Sequence, residues 1–151
     1  MAQHFILLSL LTISTVIADE IAIITGRDTI IHELNTKRLE QIFLKKNQLD
    51  DAGHRWIPLN LPSQHPTRLA FSQGLFNKRP EAMETYWNNQ YFQGITPPYV
   101  LSSEEAMLRF VASTSGAIGY ALACHVDERV QIIWKLSIGD ELNKNCATKI
   151  K

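Results

Sequence analysis

The segment Ser63–Arg68 (SQHPTR) brings together residue types that bind small anions in proteins. Proline is favoured at the first position of a helix, so Pro66 predicts that a loop leads into a helix start here. A helix start has unpaired backbone N–H groups and a partial positive charge, which together favour an anion. Ser63, Thr67 and Arg68 are donors that would add to it, and an arginine can hold a phosphate or carboxylate through two hydrogen bonds. The segment therefore predicts an oxyanion site.

The same side chains also have structural interpretations. Ser63 or His65 could simply cap the helix, and Pro66 has no N–H group to offer a ligand. Arg68, in the first helical turn, could be solvated or paired with a carboxylate. The sequence leaves ligand binding and structural roles open for Ser63, His65, Thr67 and Arg68.

The rest of the chain has no motif that favours catalysis or metal binding. His32, His54 and His125 are scattered, without an HExxH motif or a pair four residues apart. We find no GxSxG motif and no Ser/His/Asp or Cys/His arrangement typical of nucleophilic catalysis. Gly116 and Gly119 precede a predicted strand, so they indicate a turn and close backbone packing rather than a phosphate loop. We expect a protein that is not an enzyme and needs no cofactor or metal.

The composition is typical of one globular domain. The chain has 151 residues, 45% of them hydrophobic, and its 15 Lys+Arg balance 15 Asp+Glu to a formal net charge of zero. This length favours a single domain. Nucleic-acid binders use a basic surface to hold phosphates, so the balanced charge leads us to expect no nucleic-acid partner.

Residues 1–18 predict a signal peptide. They contain no Lys, Arg, Asp or Glu, and the apolar run Phe5–Leu11 is followed by Val16 and Ala18 at the spacing of a signal-peptidase site. The alternatives are a buried first helix or a membrane-spanning helix, which would need about 20 mostly apolar residues. Four hydroxyl residues interrupt the run here. We expect cleavage after Ala18 and a periplasmic or secreted protein without a membrane span in residues 19–151.

The two cysteines, Cys124 and Cys146, would then lie in an oxidising compartment, where an isolated pair favours a disulfide. The bridge would anchor a Lys-rich tail, Asn143–Lys151, that has few apolar residues of its own to bury. A metal site built on the two thiolates is the alternative, but no histidine stands nearby at ligand spacing. The sequence therefore predicts a Cys124–Cys146 disulfide.

Short strands alternate with helices in the first half of the chain. Glu20–Thr25 is short, apolar and β-branched, which predicts a buried strand. A helix capped by Asn35 follows, with Leu39, Ile42 and Phe43 on one face, and it closes at Lys45 and Lys46. Trp56–Leu61 predicts a second strand close to a sheet edge, because Pro58 removes a ladder donor.

The second half predicts three helices and two strands. The helix from Pro66 would bury Leu69, Ala70, Phe71, Leu75 and Phe76. A helix from Pro80 to Gly94 would bury Met83, Trp87 and Tyr91, and the next would begin at a capping box of Ser102 and Glu105. The strands are Ala117–Cys124 and Val130–Lys135, and core positions are expected for Trp56, Trp87 and Trp134. This β-α-β-α-α-α-β-β order indicates an α/β fold with a partly parallel sheet.

Five motifs in this order resemble those of phosphate-transporter substrate-binding proteins. Leu34–Lys46 is similar to their L-S-x-x-x-L-x-x-I-F-L-G-K helix, and His65–Phe71 is similar to S-P-x-R-x-x-F. The remaining three are Tyr86-Trp87, Pro97-Pro98 followed by Ser102–Glu105, and Ser115–Tyr120, which resembles P-G-A-I-G-Y. Together they span about residues 20–135.

Members of that family have two α/β lobes that close on an oxyanion, and residues 19–151 have room for one. The resemblance implies a single three-layer lobe of the type II periplasmic-binding-protein fold, with a mixed β-sheet flanked by helices. Family Ser or Thr residues at the helix start bind the oxyanion, but here His65 replaces the Ser and Lys45 stands where the family tends to have Gly.

The resemblance therefore implies an exported solute-binding-protein-like domain that binds phosphate or another oxyanion as a transporter accessory or sensor. A partner protein or a second copy of the chain would complete the cleft. The alternative is a structural or protein-interaction module that keeps the fold and has lost the ligand, which the changes at His65 and Lys45 favour.

Overall fold

The computed structural model describes residues 20–138 and 146, and these form an α/β fold around one mixed five-stranded sheet. The strands are β1 (Glu20–Thr25), β2 (Ile57–Asn60), β3 (Tyr99–Val100), β4 (Ala117–Leu122) and β5 (Gln131–Ser137). Their order in the sheet is β3-β2-β4-β1-β5. β1 is antiparallel to both of its neighbours, β4 and β5, whereas β2 is parallel to β3 and β4. The predicted mixed sheet is confirmed.

The helices are α1 (Thr36–Phe43), α2 (Pro66–Phe76), α3 (Glu84–Tyr91) and α4 (Glu104–Ser113), with short 3₁₀ turns at Pro80–Met83 and Ala123–His125. The Asn35 side chain caps α1 by accepting a hydrogen bond from the Arg38 N–H at 2.8 Å. Pro66 occupies the first position of α2, as predicted. Local sequence signals therefore account for where both helices begin.

Helices cover both faces of the sheet. Adjacent residues of a strand point to opposite faces, and β4 presents Gly119 to one face and Tyr120 to the other. Gly119 lies against Met107 of α4, whereas the Tyr120 ring stacks on Phe71 of α2 with centroids 3.8 Å apart. α2 and α4 therefore lie on opposite sides of the sheet, which gives the three predicted layers.

The hydrophobic core lies in and around the two central strands. Residues Ile21–Ile24 of β1 and all six residues of β4 are buried, because each strand has a layer of side chains on both faces. α1 contributes Leu39, Ile42 and Phe43, the three residues that its apolar spacing predicts. The predicted buried side of α2 is confirmed for Phe71 and Leu75, and its other apolar residues are partly buried.

The structure corrects several local predictions. Ser103, not Ser102, caps α4, because its hydroxyl accepts the Ala106 N–H at 3.1 Å. Tyr91 is 67% exposed instead of buried, since the Pro80–Gly94 helix is interrupted and α3 lies at the surface. After Pro98 the chain forms β3, an edge strand of two residues that the sequence analysis does not predict. Trp56 is buried as predicted, but Trp87 and Trp134 are only partly buried.

The structure contains the predicted disulfide between Cys124 and Cys146, whose Cα atoms are 5.8 Å apart. Cys124 lies in the 3₁₀ turn after β4, and Cys146 packs against the core. The predicted signal peptide, residues 1–18, and the rest of the tail Asn143–Lys151 lie outside the described residues. In the described part of the chain, every helix is too short or too polar to cross a membrane.

Candidate functional site

His65 caps α2. Its Nδ1 accepts a hydrogen bond from the Thr67 N–H at 3.2 Å, and its backbone is extended, as is usual for a capping residue. Because Nδ1 is the acceptor, the proton of the neutral ring lies on Nε2, which is then a donor. Ser63, in the loop before the helix, is exposed.

Thr67 turns its hydroxyl into the protein. The residue is 1% exposed, and the hydroxyl donates to Oε1 of Glu104, the first residue of α4. A threonine has one O–H donor. The hydrogen bond to Glu104 uses that donor, which the sequence analysis predicted for an oxyanion. The contact joins the start of α2 to the start of α4.

Glu104 is a buried carboxylate with three donors. Besides the Thr67 hydroxyl, it accepts hydrogen bonds from the Leu122 N–H at 3.3 Å and from Nδ1 of His125 at 2.5 Å. Its position in the first turn of α4 also suits a negative charge. This charge beside the start of α2 opposes a second anion at Thr67.

Arg68 points away from the helix start towards β2 and β4. Its Nη1 lies 3.5 Å from the Tyr120 hydroxyl, and its Nε is buried without a hydrogen-bond partner. Burial lowers the pKa of this guanidinium below its ordinary value, and an arginine side chain stays protonated in proteins. Within residues 20–138, no carboxylate lies within 4 Å of it. Arg68 is therefore a largely buried charge without an ion pair in contact, and Glu81 acts on it electrostatically from farther away.

Tyr120 and Asn60 are the polar residues beside Arg68. The Tyr120 hydroxyl donates to Oδ1 of Asn60 at 3.3 Å and accepts from the Leu61 N–H at 3.1 Å. Burial raises the pKa of this hydroxyl, so it remains protonated at neutral pH. A cavity of about 10 Å³ beside Asn60 and Arg68 has room for about one water molecule. A larger anion would have to approach the guanidinium from the open side.

The four predicted site residues therefore have different surroundings. His65 is a cap, Thr67 is bonded to Glu104, the Nε of Arg68 has no hydrogen-bond partner and Ser63 faces solvent. Sequence reasoning missed Glu104, Asn60 and Tyr120 as their partners.

The sequence contains one signal for Glu104, because this residue and Glu105 form an acidic pair at the start of α4. Adjacent helical residues point in different directions, and here Glu104 points inward whereas Glu105 faces Arg109 and Arg129 at the surface. For Asn60 and Tyr120 the sequence offered no local signal, because they meet through the pairing of distant strands. In the described part of the chain, no cluster of three or more His, Cys, Asp or Glu residues is placed to hold a metal ion.

Three solved structures are similar to this one. The first is an ABC-type phosphate transport receptor from Vibrio cholerae (TM-score 0.61, 17% identity, covering 76% of this chain and 45% of the receptor). The second, from Clostridium perfringens, is described as a phosphate ABC transporter substrate-binding protein and has bound phosphate (TM-score 0.63, 18% identity, covering 87% of this chain and 51% of that protein). The third is PstS from Borrelia burgdorferi (TM-score 0.55, 18% identity, covering 71% of this chain and 42% of PstS).

These similarities confirm the fold that the motifs predict, that of phosphate-transporter substrate-binding proteins. The chain spans about half the length of the structures it matches. Comparison with protein-family models and with curated proteins finds no match.

Proposed function

We propose that this chain is a solute-binding-type domain that holds a small oxyanion, such as phosphate, against the guanidinium of Arg68. The observation that carries the proposal is the buried Nε of Arg68, which has no hydrogen-bond partner. A largely buried charge without an ion pair is costly, and an oxyanion that approaches the guanidinium from its open side would supply the opposite charge. The similar structures include one with bound phosphate, which agrees with this ligand class.

In this proposal the predicted residues have unequal roles. Arg68 is the anchor, and the exposed Ser63 hydroxyl and the Nε2–H of His65 are additional donors on the open side of the site. Thr67 positions the start of α2 through Glu104 and does not contact the ligand. Because the site is open to solvent, each contact is weakened, and we expect an affinity in the millimolar range unless a partner protein or a second copy covers the ligand.

Thermal unfolding in phosphate tests the proposal. For a Kd of about 1 mM, phosphate at about 50 mM should stabilise the fold by about 2.3 kcal/mol, which is a rise of about 5–9 °C in Tm. Sodium chloride at matched ionic strength, and sulfate, separate a specific effect from the general action of salts.

Arg68→Met is the decisive variant. It removes the charge and replaces the guanidinium with a shorter, unbranched apolar side chain, so the ligand-free variant should be as stable as the parent or more stable. The same variant should lose its response to phosphate. A parent protein whose Tm does not respond to phosphate beyond the salt control contradicts the proposal, and so does an unchanged response in Arg68→Met.

A second candidate function is a protein-interaction module that has lost the ligand. Two observations favour it. Glu104 uses the Thr67 hydroxyl, and large apolar side chains are exposed at the end of α3 and on β3, including Phe92 at 87% and Tyr99 at 65%. Light scattering after size exclusion would detect self-association, and Phe92→Ser should weaken it. A monomer at high concentration that also responds to phosphate contradicts this second function.

We also propose export of the chain, with cleavage after Ala18 and one lobe in residues 19–151. The Cys124–Cys146 disulfide supports this, since disulfides persist in oxidising compartments. Mass spectrometry of the protein from a periplasmic or culture fraction should give a chain that begins at Asp19. A chain that keeps its first 18 residues contradicts the proposal.

A further inference from the structure

A second cavity, of about 170 Å³, lies at the other end of β2 from the Arg68 site. It is enclosed by the end of α1, the segment leading into β2 and residues 94–96. Its lining includes two cationic side chains, Lys45 and Arg55, but no Asp or Glu. Ile42, Pro58 and Ile95 provide an apolar part. The cavity therefore combines positive charge with an apolar wall.

Trp56 lines this cavity and is 5% exposed, and its indole Nε1–H is buried without a hydrogen-bond partner. Buried donors are almost always paired, so an unpaired one requires an explanation. An acceptor bound in the cavity would explain it. The unpaired indole N–H is evidence for a bound acceptor that does not depend on the charges of Lys45 and Arg55.

Lys45 adds the second line of evidence. It follows α1 with φ 56°, a left-handed conformation that glycine adopts at lower cost. Its amino group lies 3.5 Å from the Pro97 carbonyl and 5.8 Å from the centre of the Tyr99 ring, and burial lowers its pKa. In the described part of the chain, no carboxylate lies within 4 Å of Lys45 or Arg55. Arg55 donates instead to the neutral side chain of Gln48 at 2.9 Å.

We propose that this cavity binds a small organic carboxylate. One carboxylate oxygen pairs with the Lys45 amino group, the other accepts the Trp56 indole N–H, and the hydrocarbon part packs against Ile42 and Pro58. The volume of about 170 Å³ suits a ligand with a short chain or a small ring. The apolar wall favours a carboxylate with a hydrocarbon tail over inorganic phosphate.

Butyrate is a suitable probe, and the indole N–H signals in a ¹H–¹⁵N spectrum are the readout. The chain has three tryptophans, so Trp56→Phe identifies the Trp56 signal by its loss. We expect butyrate in the range of tens of millimolar to move this signal in a saturable way. Butyramide, which has the same shape without the charge, should leave it nearly unchanged.

Lys45→Gly separates a ligand-binding role from a structural one. Glycine relieves the left-handed strain, so the variant should unfold at a higher temperature than the parent, yet bind butyrate at least about tenfold more weakly. Lys46→Ala is the matched control: its amino group lies over the Tyr86 ring, at 5.5 Å from the centroid, and butyrate binding should be unchanged.

Three results would overturn the proposal: no saturable shift of the Trp56 signal, an equal shift with butyramide, or unchanged binding by Lys45→Gly. A saturable shift with inorganic phosphate of equal strength would overturn the assignment to carboxylates. Arg68→Met should bind butyrate as the parent does. The butyrate and phosphate experiments therefore test this proposal and the oxyanion site at α2 independently.

Discussion

At the start of α2, two buried charged groups have opposite surroundings. Glu104 accepts hydrogen bonds from Thr67, Leu122 and His125, whereas the Nε of Arg68 has no partner. A carboxylate with three donors is stabilised by its site, whereas a buried guanidinium with an unpaired Nε and no ion pair is not. At the scale of single residues, Glu104 therefore has a structural role, and Arg68 is the residue for which a bound ligand offers an explanation.

Glu104→Gln tests the structural role. The amide has one acceptor oxygen and places an NH₂ group against at least one of the three donors, so hydrogen bonds to a charged acceptor are lost. We expect a loss of about 2–3 kcal/mol in the free energy of unfolding, measured by urea denaturation. Glu105→Gln, one position along the same helix and exposed, should cost less. Equal losses in the two variants contradict the role assigned to Glu104.

Among the elements, the tight turn between α4 and β4 depends on one glycine. Gly116 has φ +78°, and a Cβ there would lie 2.2 Å from the backbone oxygen of Arg55. The Ile57 N–H donates to the Gly116 carbonyl at 2.8 Å, so this close approach is part of the contact between the β2 and β4 strands. The turn and close packing predicted from the sequence are confirmed here.

Gly116→Ala should therefore be strongly destabilising. Gly53 is a matched control, because it has φ +84° but nothing within 4 Å of the position that an alanine methyl group would take. Gly53→Ala therefore carries the conformational cost without the clash. We expect Gly116→Ala to lose at least about 2 kcal/mol more than Gly53→Ala in urea denaturation. Similar losses in the two variants would show that the backbone near Arg55 moves aside easily.

The α4 helix is also tied to the segment before β5 by a pH-sensitive ion pair. Arg129 donates two hydrogen bonds of 2.9 Å to Glu105, and with Arg109 it lowers the pKa of that carboxyl from 4.5 to about 2. A lowered pKa in the folded state means that the pair stabilises the fold above pH 4.5 and that this contribution disappears as the pH falls towards 2. The effect is small because Glu105 is half exposed.

Glu105→Gln should therefore flatten the acid side of the stability profile between pH 4.5 and 2. Urea denaturation across that range provides the measurement. At neutral pH, Arg129→Gln should have a similar small cost, and the double variant should cost less than the sum of the two single ones. A parent profile and a Glu105→Gln profile that run parallel below pH 4.5 contradict the contribution of this pair.

For the whole molecule, the disulfide closes the C-terminal end of the chain onto the fold. Cys124 and Cys146 are 22 positions apart, so the bridge closes a loop that contains β5, one edge of the sheet. Restricting a loop of this length in the unfolded chain stabilises the native state by about 3 kcal/mol.

The double variant Cys124→Ser, Cys146→Ser should lose about 3 kcal/mol in the free energy of unfolding. Reduction of the parent with dithiothreitol should lower its stability by a similar amount and should not affect the double variant. If the parent is equally stable with and without reductant, the bridge does not stabilise the fold.

The sequence predicted the elements better than it predicted their contacts. Asn35, Pro66 and the apolar spacing of α1 act within one or two helical turns, and each prediction based on them is confirmed. Tyr91 was predicted wrongly because its helical spacing is apolar while α3 packs too little to bury it. Predictions failed where burial depends on what another part of the chain places against the residue.

What the sequence determined by itself was the alternation of strands and helices, the residues at which α1 and α2 begin, and a cysteine pair suited to a bridge. These features follow from interactions between near neighbours or from the chemistry of a residue type. Only the tertiary structure decided that the Thr67 hydroxyl meets Glu104, 37 positions away, and that Arg68 reaches Tyr120, 52 positions away. Such partners are set by the order of strands in the sheet, which brings β4 beside β2 and so places distant side chains at the same helix start.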